Sequence, residues 1–390
     1  MRSMQRGRSG FLGIDASDSL SLQERLERFP WGLIILLTIT VLFGLVILYS
    51  AVGGQENLHF IYKQLGRFLT GMVLMFVIAL MCEEKLFRHQ AYLVYAIILL
   101  LLILVAVFGS VGMGARRWLD LGVMRIQPSE LMKVGVILAL ARFYHDRAVD
   151  PHLGFRQLAG LILLILTPLG LIVKQPDLGT AVLIASVVCV IIFVAGLSWK
   201  TLIFAILIFG ASLPVVWNSL HDYQRQRVET LFFPERDPLG SGYHIIQSTI
   251  AVGSGGMTGK GFLAGSQSHL DFLPERHTDF IFSVLAEEWG FLGGMVILLL
   301  YGLIILRGMM IAISAGDRFG FLLAAGVTAL FTFQVVINIG MVIGLLPVVG
   351  IPLPLISYGG SSMVTILAAM GLLAHVAIYS KYHGRAVRSI

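Results

Sequence analysis

The sequence predicts an all-α polytopic membrane protein with about ten transmembrane helices. The chain is 57% hydrophobic and only 13% charged, and its mean hydropathy is +0.87. Apolar runs of about 20 residues, the length that crosses a bilayer as a helix, recur along the chain. We therefore expect a membrane protein without a soluble domain.

The ten predicted spans place both chain ends on the same side of the membrane. More than half of the 28 basic residues lie on segments that become cytoplasmic if the N-terminus is inside, which favours an N-in, C-in topology. Residues 1–30 are then a cytoplasmic segment, 31–380 the membrane domain and 381–390 a cytoplasmic tail. The predicted spans are 31–52, 65–82, 91–111, 128–144, 157–173, 178–196, 200–217, 280–306, 318–345 and 355–380.

Charge and cysteine content narrow the class of function. A net charge of +6 suggests nucleic acid as a partner in a soluble protein, but here membrane topology accounts for most of it, and we expect none. Cys82 and Cys189 fall within or at the end of apolar runs, where cysteine usually packs as a small hydrophobe. The sequence therefore offers neither a disulfide framework nor a thiolate metal cluster.

A long extracytoplasmic loop, residues 218–279, holds most of the extended polar sequence. It is too long for a simple connector, and we expect short amphipathic helices that cover the outer mouth of a cavity. The glycine-rich run 253–261 lacks the spacing of a phosphate loop and is predicted to let this cover move.

The first polar cluster, residues 114–133, precedes and enters the fourth span. Arginines alternate with apolar side chains there, which is typical of a segment at the membrane interface. Glu130 and Lys133 are either an ion pair buried among helices or, with the arginines, part of a site for a phosphorylated ligand. The candidate ligand-binding residues are Arg116, Arg117, Trp118 and Arg125.

Two further clusters lie on the same predicted face. Lys174 and Asp177 flank a short turn, in which Asp177 either starts the next helix or contributes to the site. Residues 345–363 are rich in proline and glycine and predict a re-entrant or broken element. Ser361, in this element, is a helix cap or a substrate contact.

The densest cluster is the stretch 272–282, where Glu275, Arg276, His277 and Asp279 lie within five positions before an apolar run. Burial would raise the pKa of the Asp279 carboxyl, and its cationic neighbours would lower it. A carboxylate held in this way can take a proton from a hydroxyl group. Glu287 and Glu288 follow inside the next span, and we expect both to be buried and to support the site.

Four long motifs resemble the SEDS family (shape, elongation, division and sporulation) of bacterial cell-wall polymerases. They are GARRWLDLGVMRIQPSELMK at 114–133, KQPDLGT at 174–180, GMTGKGFLAGSQSHLDFLPERHTDFIFSVLAEEWGFLG at 256–293 and LPLISYGGSSM at 353–363. The similarity covers roughly residues 30–380. The motif FLPERHTDFIFSVLAEE resembles the elongation branch of the family more than the division branch.

The resemblance implies a peptidoglycan glycosyltransferase of the bacterial cytoplasmic (inner) membrane, acting on lipid II at the outer face. It implies catalytic importance for Asp279, Glu130 and Lys133. It also implies a class B penicillin-binding protein as the transpeptidase partner, within a complex of elongation proteins. No cofactor is evident; a divalent cation, Mg²⁺ or Mn²⁺, could neutralise the pyrophosphate, although no ligand spacing in the sequence motivates one.

Two other classes of function remain open at this point. A lipid II flippase also needs a polar cavity and cations for a pyrophosphate headgroup, but its charges should continue to both faces of the bilayer. A non-catalytic scaffold for elongation proteins needs no ionisable cavity.

Overall fold

The computed structural model describes residues 20–112, 115–120, 125–147, 155–196, 241–266 and 275–386, with six further residues between 225 and 235. The helices are α1 (Leu22–Arg28), α2 (Trp31–Ala51), α3 (Leu58–Phe76), α4 (Glu84–Phe108), α5 (Pro128–His145), α6 (Phe155–Lys174), α7 (Leu178–Val194), α8 (Ser241–Ser254), α9 (Ile281–Ile313), α10 (Arg318–Val342) and α11 (Gly360–Ala386). A π-helical turn, Val77–Met81, extends α3.

Seven helices in the described part of the chain are long and apolar enough to cross a membrane: α2, the extended α3, α4, α6, α9, α10 and α11. Helix α7 is apolar but shorter, and α5 carries Glu130, Lys133 and Arg142. Nine predicted spans fall on these helices, and the predicted span 200–217 lies outside the described residues. The helical, multi-pass membrane class is confirmed; the number ten and the orientation stay predictions.

Helices α10 and α11 form the centre of the bundle. In their most apolar windows, 72% of α10 and 83% of α11 residues are buried, whereas α2, α4 and α6 bury 39% or less. The outer helices turn large apolar side chains such as Ile35, Leu100 and Leu163 outwards. Lipid tails are as apolar as leucine, so such exposure carries no penalty in a bilayer.

A three-stranded antiparallel sheet lies between α4 and α5, and it corrects the expectation of a purely helical chain. Its strands are β1 (Ser110–Gly112), β2 (Ala115–Asp120) and β3 (Arg125–Ile126), in the order β1-β2-β3. Asp120 and Arg125 are partners across β2 and β3. Glycines at 112, 114 and 122 are the turn signals that could have predicted these strands.

Helix α9 is broken at Gly290, where φ is 64° and ψ is −160°, although the sequence predicted a continuous span. The glycine-rich run 253–261 forms hydrogen bonds with backbone groups of α9 on both sides of the break. Lys260 N donates to Glu287 O over 3.0 Å and Gly261 N to Glu288 O over 3.0 Å. In return, Phe291 N donates to Gly256 O over 2.9 Å and Leu292 N to Met257 O over 3.1 Å. This run is therefore bound to α9, and its predicted role as a hinge is not tested.

Candidate functional site

The segment 343–359, between α10 and α11, is the meeting point of the predicted polar clusters. It is not helical, as its prolines and glycines predict, and residues 351 and 353–357 are buried. Buried backbone carbonyls need hydrogen-bond donors. Side chains from three helices supply them: Gln64 to Ser357 O (2.8 Å), Tyr301 to Pro354 O (2.7 Å), Gln334 to Pro352 O (3.4 Å) and Asn338 to Ile351 O (2.7 Å).

Asp279 lies on one side of this segment, at the end of the turn 275–280 that leads into α9. Its side chain is half-buried, and a Cβ added to Gly350 would lie 3.4 Å from Asp279 Oδ2. The Gly350 backbone has φ of 72°, a conformation that favours glycine. A residue without a side chain thus leaves room beside the carboxylate.

The turn itself is held by its own side chains and by α2. Thr278 Oγ1 donates to Glu275 Oε2 over 2.8 Å, and Arg276 Nε donates to Ala51 O, at the end of α2, over 2.7 Å. Two charged side chains of the turn, those of Glu275 and Arg276, therefore stabilise its conformation.

His277 lies in an aromatic group with Phe60 and Tyr358, at ring-centroid distances of 5.2 Å and 5.9 Å. Burial lowers the pKa of the His277 imidazole below its ordinary value of 6.5, while Glu275 raises it and Arg276 lowers it. Burial has the largest effect of the three, and it favours the neutral imidazole. The Arg67 guanidinium lies over the Tyr358 ring, 4.3 Å from its centroid.

Asp177 joins the second cluster to the first. Its carboxylate caps α7 by accepting from Thr180 N over 3.3 Å. The same carboxylate accepts from Ser129 Oγ over 3.0 Å and from Gln127 Nε2 over 3.1 Å. The helix-start interpretation of Asp177 is confirmed, and the same carboxylate ties the start of α7 to the start of α5. Its contribution to the site stays a prediction.

Glu130 and Lys133 form an ion pair inside the bundle. Lys133 Nζ lies 2.6 Å from Glu130 Oε2, and the two side chains are only 1% and 7% exposed. This is the geometry of the buried structural pair. Contact of Lys133 with a ligand stays a prediction.

Gly179 and Gly350 bring these clusters next to Asp279. A Cβ added to Gly179, two residues beyond Asp177, would lie 2.5 Å from Val349 O. Val349 is followed by Gly350, which faces Asp279. The starts of α7 and α9 therefore lie against segment 343–359 at one end of the bundle, and the start of α5 is joined to them through Asp177.

The arginines of the sheet have different environments. Arg117 donates to the carbonyls of Gln175, over 3.1 Å, and Pro176. Arg125 Nε lies 3.1 Å from Asp120 Oδ2, yet its side chain is 71% exposed. Arg116 and Lys174 are exposed, and Trp118 is half-buried. Exposed cations thus remain at this end of the bundle.

Glu287 and Glu288 are buried, as the sequence predicts, at 0% and 2% exposure. Glu287 Oε1 lies 2.7 Å from Lys260 Nζ and accepts from Ser266 Oγ over 3.2 Å. Glu288 Oε1 accepts from Ser50 Oγ, on α2, over 2.5 Å. These carboxylates join α9 to α2 and to the glycine-rich run.

Sequence reasoning missed the polar side chains that hold segment 343–359. Gln64, Arg67, Gln334, Asn338 and Ser357 all contact it or belong to it. A usable signal was present for Gln334 and Asn338, because two amides four residues apart in an apolar span lie on one helix face. Ser361, which was predicted, is half-buried in the first turn of α11. Its neighbour Ser362 accepts from Gln334 Nε2 over 3.2 Å.

A metal ion has no ready-made site in the described residues, among which no group of three or more His, Cys, Asp or Glu side chains is placed to hold one. The expectation of no evident cofactor, with a divalent cation as the alternative, is not tested.

Fold and site together define a multi-pass helical membrane protein with a carboxylate and surrounding cations at one end of its bundle. The family model described as cell cycle protein, which covers FtsW, RodA and SpoVE, matches residues 30–382. The chain belongs to this family.

Relatives with assigned names cover nearly the whole chain. The peptidoglycan glycosyltransferase MrdB of Escherichia coli K12 is 44% identical over 374 residues, covering 96% of this chain and 100% of MrdB. Peptidoglycan glycosyltransferase RodA of Treponema pallidum is 35% identical, covering 88% of this chain and 96% of that protein.

Two solved structures have the same fold. One, described as a peptidoglycan synthase complex that coordinates polymerization and crosslinking, contains a chain with TM-score 0.76 and 38% identity, covering 90% of this chain and 98% of that one. RodA of Thermus thermophilus gives TM-score 0.66 at 33% identity, covering 91% of this chain and 97% of that one.

Proposed function

We infer that this chain is a peptidoglycan glycosyltransferase that polymerises lipid II into glycan strands during cell elongation. Its membership of the family and its full-length similarity to MrdB and RodA support this activity. The single observation that carries the mechanism is the position of Asp279, half-buried beside Gly350 where the polar clusters meet.

The reaction joins two lipid-linked saccharides. The C4 hydroxyl of one attacks the anomeric carbon of the other, its proton passes to a base, and the bond to undecaprenyl pyrophosphate breaks. Asp279 is the general base in this proposal, because it is the carboxylate next to the open face at Gly350. An α-linked donor and a β-linked product require one inverting displacement, so no covalent glycosyl-enzyme is needed.

The departing pyrophosphate needs positive charge. We assign that role first to Arg116, Arg125 and Lys174, whose side chains are exposed at this end of the bundle. Arg117 and Lys133 already bind carbonyls and a carboxylate, so they contribute by holding the frame. Trp118, His277 and Ser361 complete the proposed saccharide-binding surface.

In this proposal the site opens on the extracytoplasmic face of the bacterial inner membrane, with both termini in the cytoplasm. The excess of basic residues on the opposite loops supports this orientation. A class B penicillin-binding protein is the proposed partner, with other elongation proteins, and the similarity to a chain of a peptidoglycan synthase complex supports it.

Replacement of Asp279 by asparagine tests the proposed base. We expect Asp279→Asn to remain folded in the membrane and to lose about 10²–10⁴-fold in polymerisation rate, because a positioned base contributes about that much. The measurement is glycan-strand synthesis by purified protein supplied with lipid II. Asp146→Asn, an exposed carboxylate paired with Arg142 outside the site, is the matched control. Near-normal turnover in Asp279→Asn would remove Asp279 from this role.

A further inference from the structure

Three consecutive backbone carbonyls, those of His277, Thr278 and Asp279, accept hydrogen bonds from outside their own turn. Tyr358 N donates to His277 O over 2.9 Å. Ser357 Oγ donates to Thr278 O over 2.6 Å, and Asn338 Nδ2 donates to Asp279 O over 2.9 Å. The main chain on either side of the proposed base is therefore fixed from α10 and from segment 343–359.

Asn338 makes the contact at Asp279 itself. It is fully buried on α10 at 0% exposure, and its Nδ2 also donates to Ile351 O over 2.7 Å. Ile351 follows Gly350, the residue that faces Asp279 Oδ2. The Asn338 amide group therefore holds the Asp279 carbonyl at a fixed distance from the Ile351 carbonyl, and so from Gly350, beside which the Asp279 carboxylate lies.

Packing alone does not explain why an asparagine occupies position 338. The Asn338 Oδ1 atom is buried, and no hydrogen-bond partner for it lies in the described part of the chain. A buried acceptor without a partner is unfavourable, and an apolar side chain would avoid it. If Oδ1 and Nδ2 of Asn338 exchanged places, an oxygen would face the two carbonyl oxygens of Asp279 and Ile351. The two donated hydrogen bonds therefore fix the orientation of the amide.

Ser357 provides a second link of the same kind. Its hydroxyl donates to Thr278 O and accepts from Leu353 N over 2.8 Å. This oxygen therefore joins the turn before Asp279 to the fold of segment 343–359.

We propose that Asn338 is a positioning residue of the glycosyl transfer, which holds Asp279 so that its carboxylate reaches the acceptor hydroxyl beside Gly350, and that Ser357 assists it. The proposal rests on the proposed function. A base must lie within hydrogen-bond reach of the proton that it takes, and a displacement of about 1 Å can cost about 100-fold in rate.

Gln334 offers a matched control one helical turn away. It is also a buried amide on α10, at 0% exposure, and it also donates to segment 343–359, through Pro352 O and Ser362 Oγ. In the described part of the chain, Gln334 donates to no residue of the turn 275–280, unlike Asn338. Loss of either amide weakens the support of the segment, but only the loss of Asn338 frees Asp279.

The test compares Asn338→Ala with Gln334→Ala in purified full-length protein supplied with lipid II. We expect kcat to fall about 10- to 100-fold in Asn338→Ala, with KM for lipid II within about twofold of wild type. We expect the acidic limb of the pH–kcat profile, which reports the base, to move in Asn338→Ala alone. Gln334→Ala should lower the thermal midpoint by a similar amount while keeping kcat within about threefold.

Equal losses of kcat in the two variants, or an unchanged pH profile in Asn338→Ala, would overturn the proposal. An active Asp279→Asn protein would instead overturn the base role on which it rests, so the two failures are distinguishable. If Asn338→Ala does not fold, Ser357→Ala decides, with Ser248→Ala as its control. Ser248 is a buried serine on α8 that donates to Ile245 O over 3.0 Å and to Val342 O over 2.9 Å, neither of which belongs to the turn 275–280. A greater loss of kcat in Ser357→Ala supports the proposal, and equal activity overturns it.

Discussion

At the scale of single residues, the Glu130–Lys133 pair is a charged feature with a large expected effect on stability. Both side chains are buried, with Nζ and Oε2 2.6 Å apart. Removing one partner of such a pair leaves an uncompensated charge, whereas replacing both with neutral side chains of similar volume is often tolerated.

We predict that Lys133→Ala destabilises the protein by about 3–5 kcal/mol, and that the double variant Glu130→Gln/Lys133→Met recovers most of that loss. Thermal unfolding in detergent measures both effects. Wild-type stability in Lys133→Ala would contradict the prediction. Recovery of stability without polymerisation would assign the pair a role towards substrate in addition to its structural one.

At the scale of elements, the broken helix α9 depends on the glycine-rich run that fills its break. A Cβ added to Gly255 would lie 1.9 Å from Ala286 O, and one added to Gly259 would lie 2.0 Å from Glu288 O. Gly253, two residues earlier, has nothing within 4 Å of an added Cβ. Close backbone approach therefore explains some glycines of this run and not others.

We predict that Gly255→Ala lowers the free energy of unfolding by about 1–3 kcal/mol, because the backbone must shift to admit the methyl group. Gly253→Ala, at an exposed position in α8, should have no effect or stabilise slightly. Thermal midpoints of the two variants check this. Equal midpoints would show that the run moves freely away from α9, as the hinge interpretation of the sequence requires.

At the scale of the whole molecule, the proposed orientation places the Asp279 end of the bundle outside the cell. Gln55 and Lys85 are exposed beyond opposite ends of the extended α3, so they report on the two faces. Cys82 and Cys189 are free thiols and must be replaced first.

In a Cys82→Ala/Cys189→Ala background, we predict that a membrane-impermeant maleimide labels Gln55→Cys in intact spheroplasts. Lys85→Cys should be labelled only after the membrane is opened. The reverse pattern would place Asp279 in the cytoplasm, where it could not build an extracellular strand.

The membrane class, most of the helices and the residue types of the site could be predicted from the amino-acid sequence alone. These depend on local properties: apolar runs reveal spans, prolines and glycines reveal segment 343–359, and charges next to apolar runs reveal Asp279 and Glu130. Its motifs also predicted the family, which the family match confirms.

Which of these residues contact one another became known from the packed helices. The Asp177 bond to Ser129, the approach of Gly350 to Asp279 and the donation from Asn338 to the Asp279 carbonyl join residues about 50 to 70 positions apart. The break in α9 likewise depends on the glycine-rich run, which lies elsewhere in the chain. The sheet consists of strands too short to give a clear sequence pattern. The local sequence pattern does not predict such contacts, because buried backbone and amide groups bond to whichever polar groups the packing of the helices brings near them.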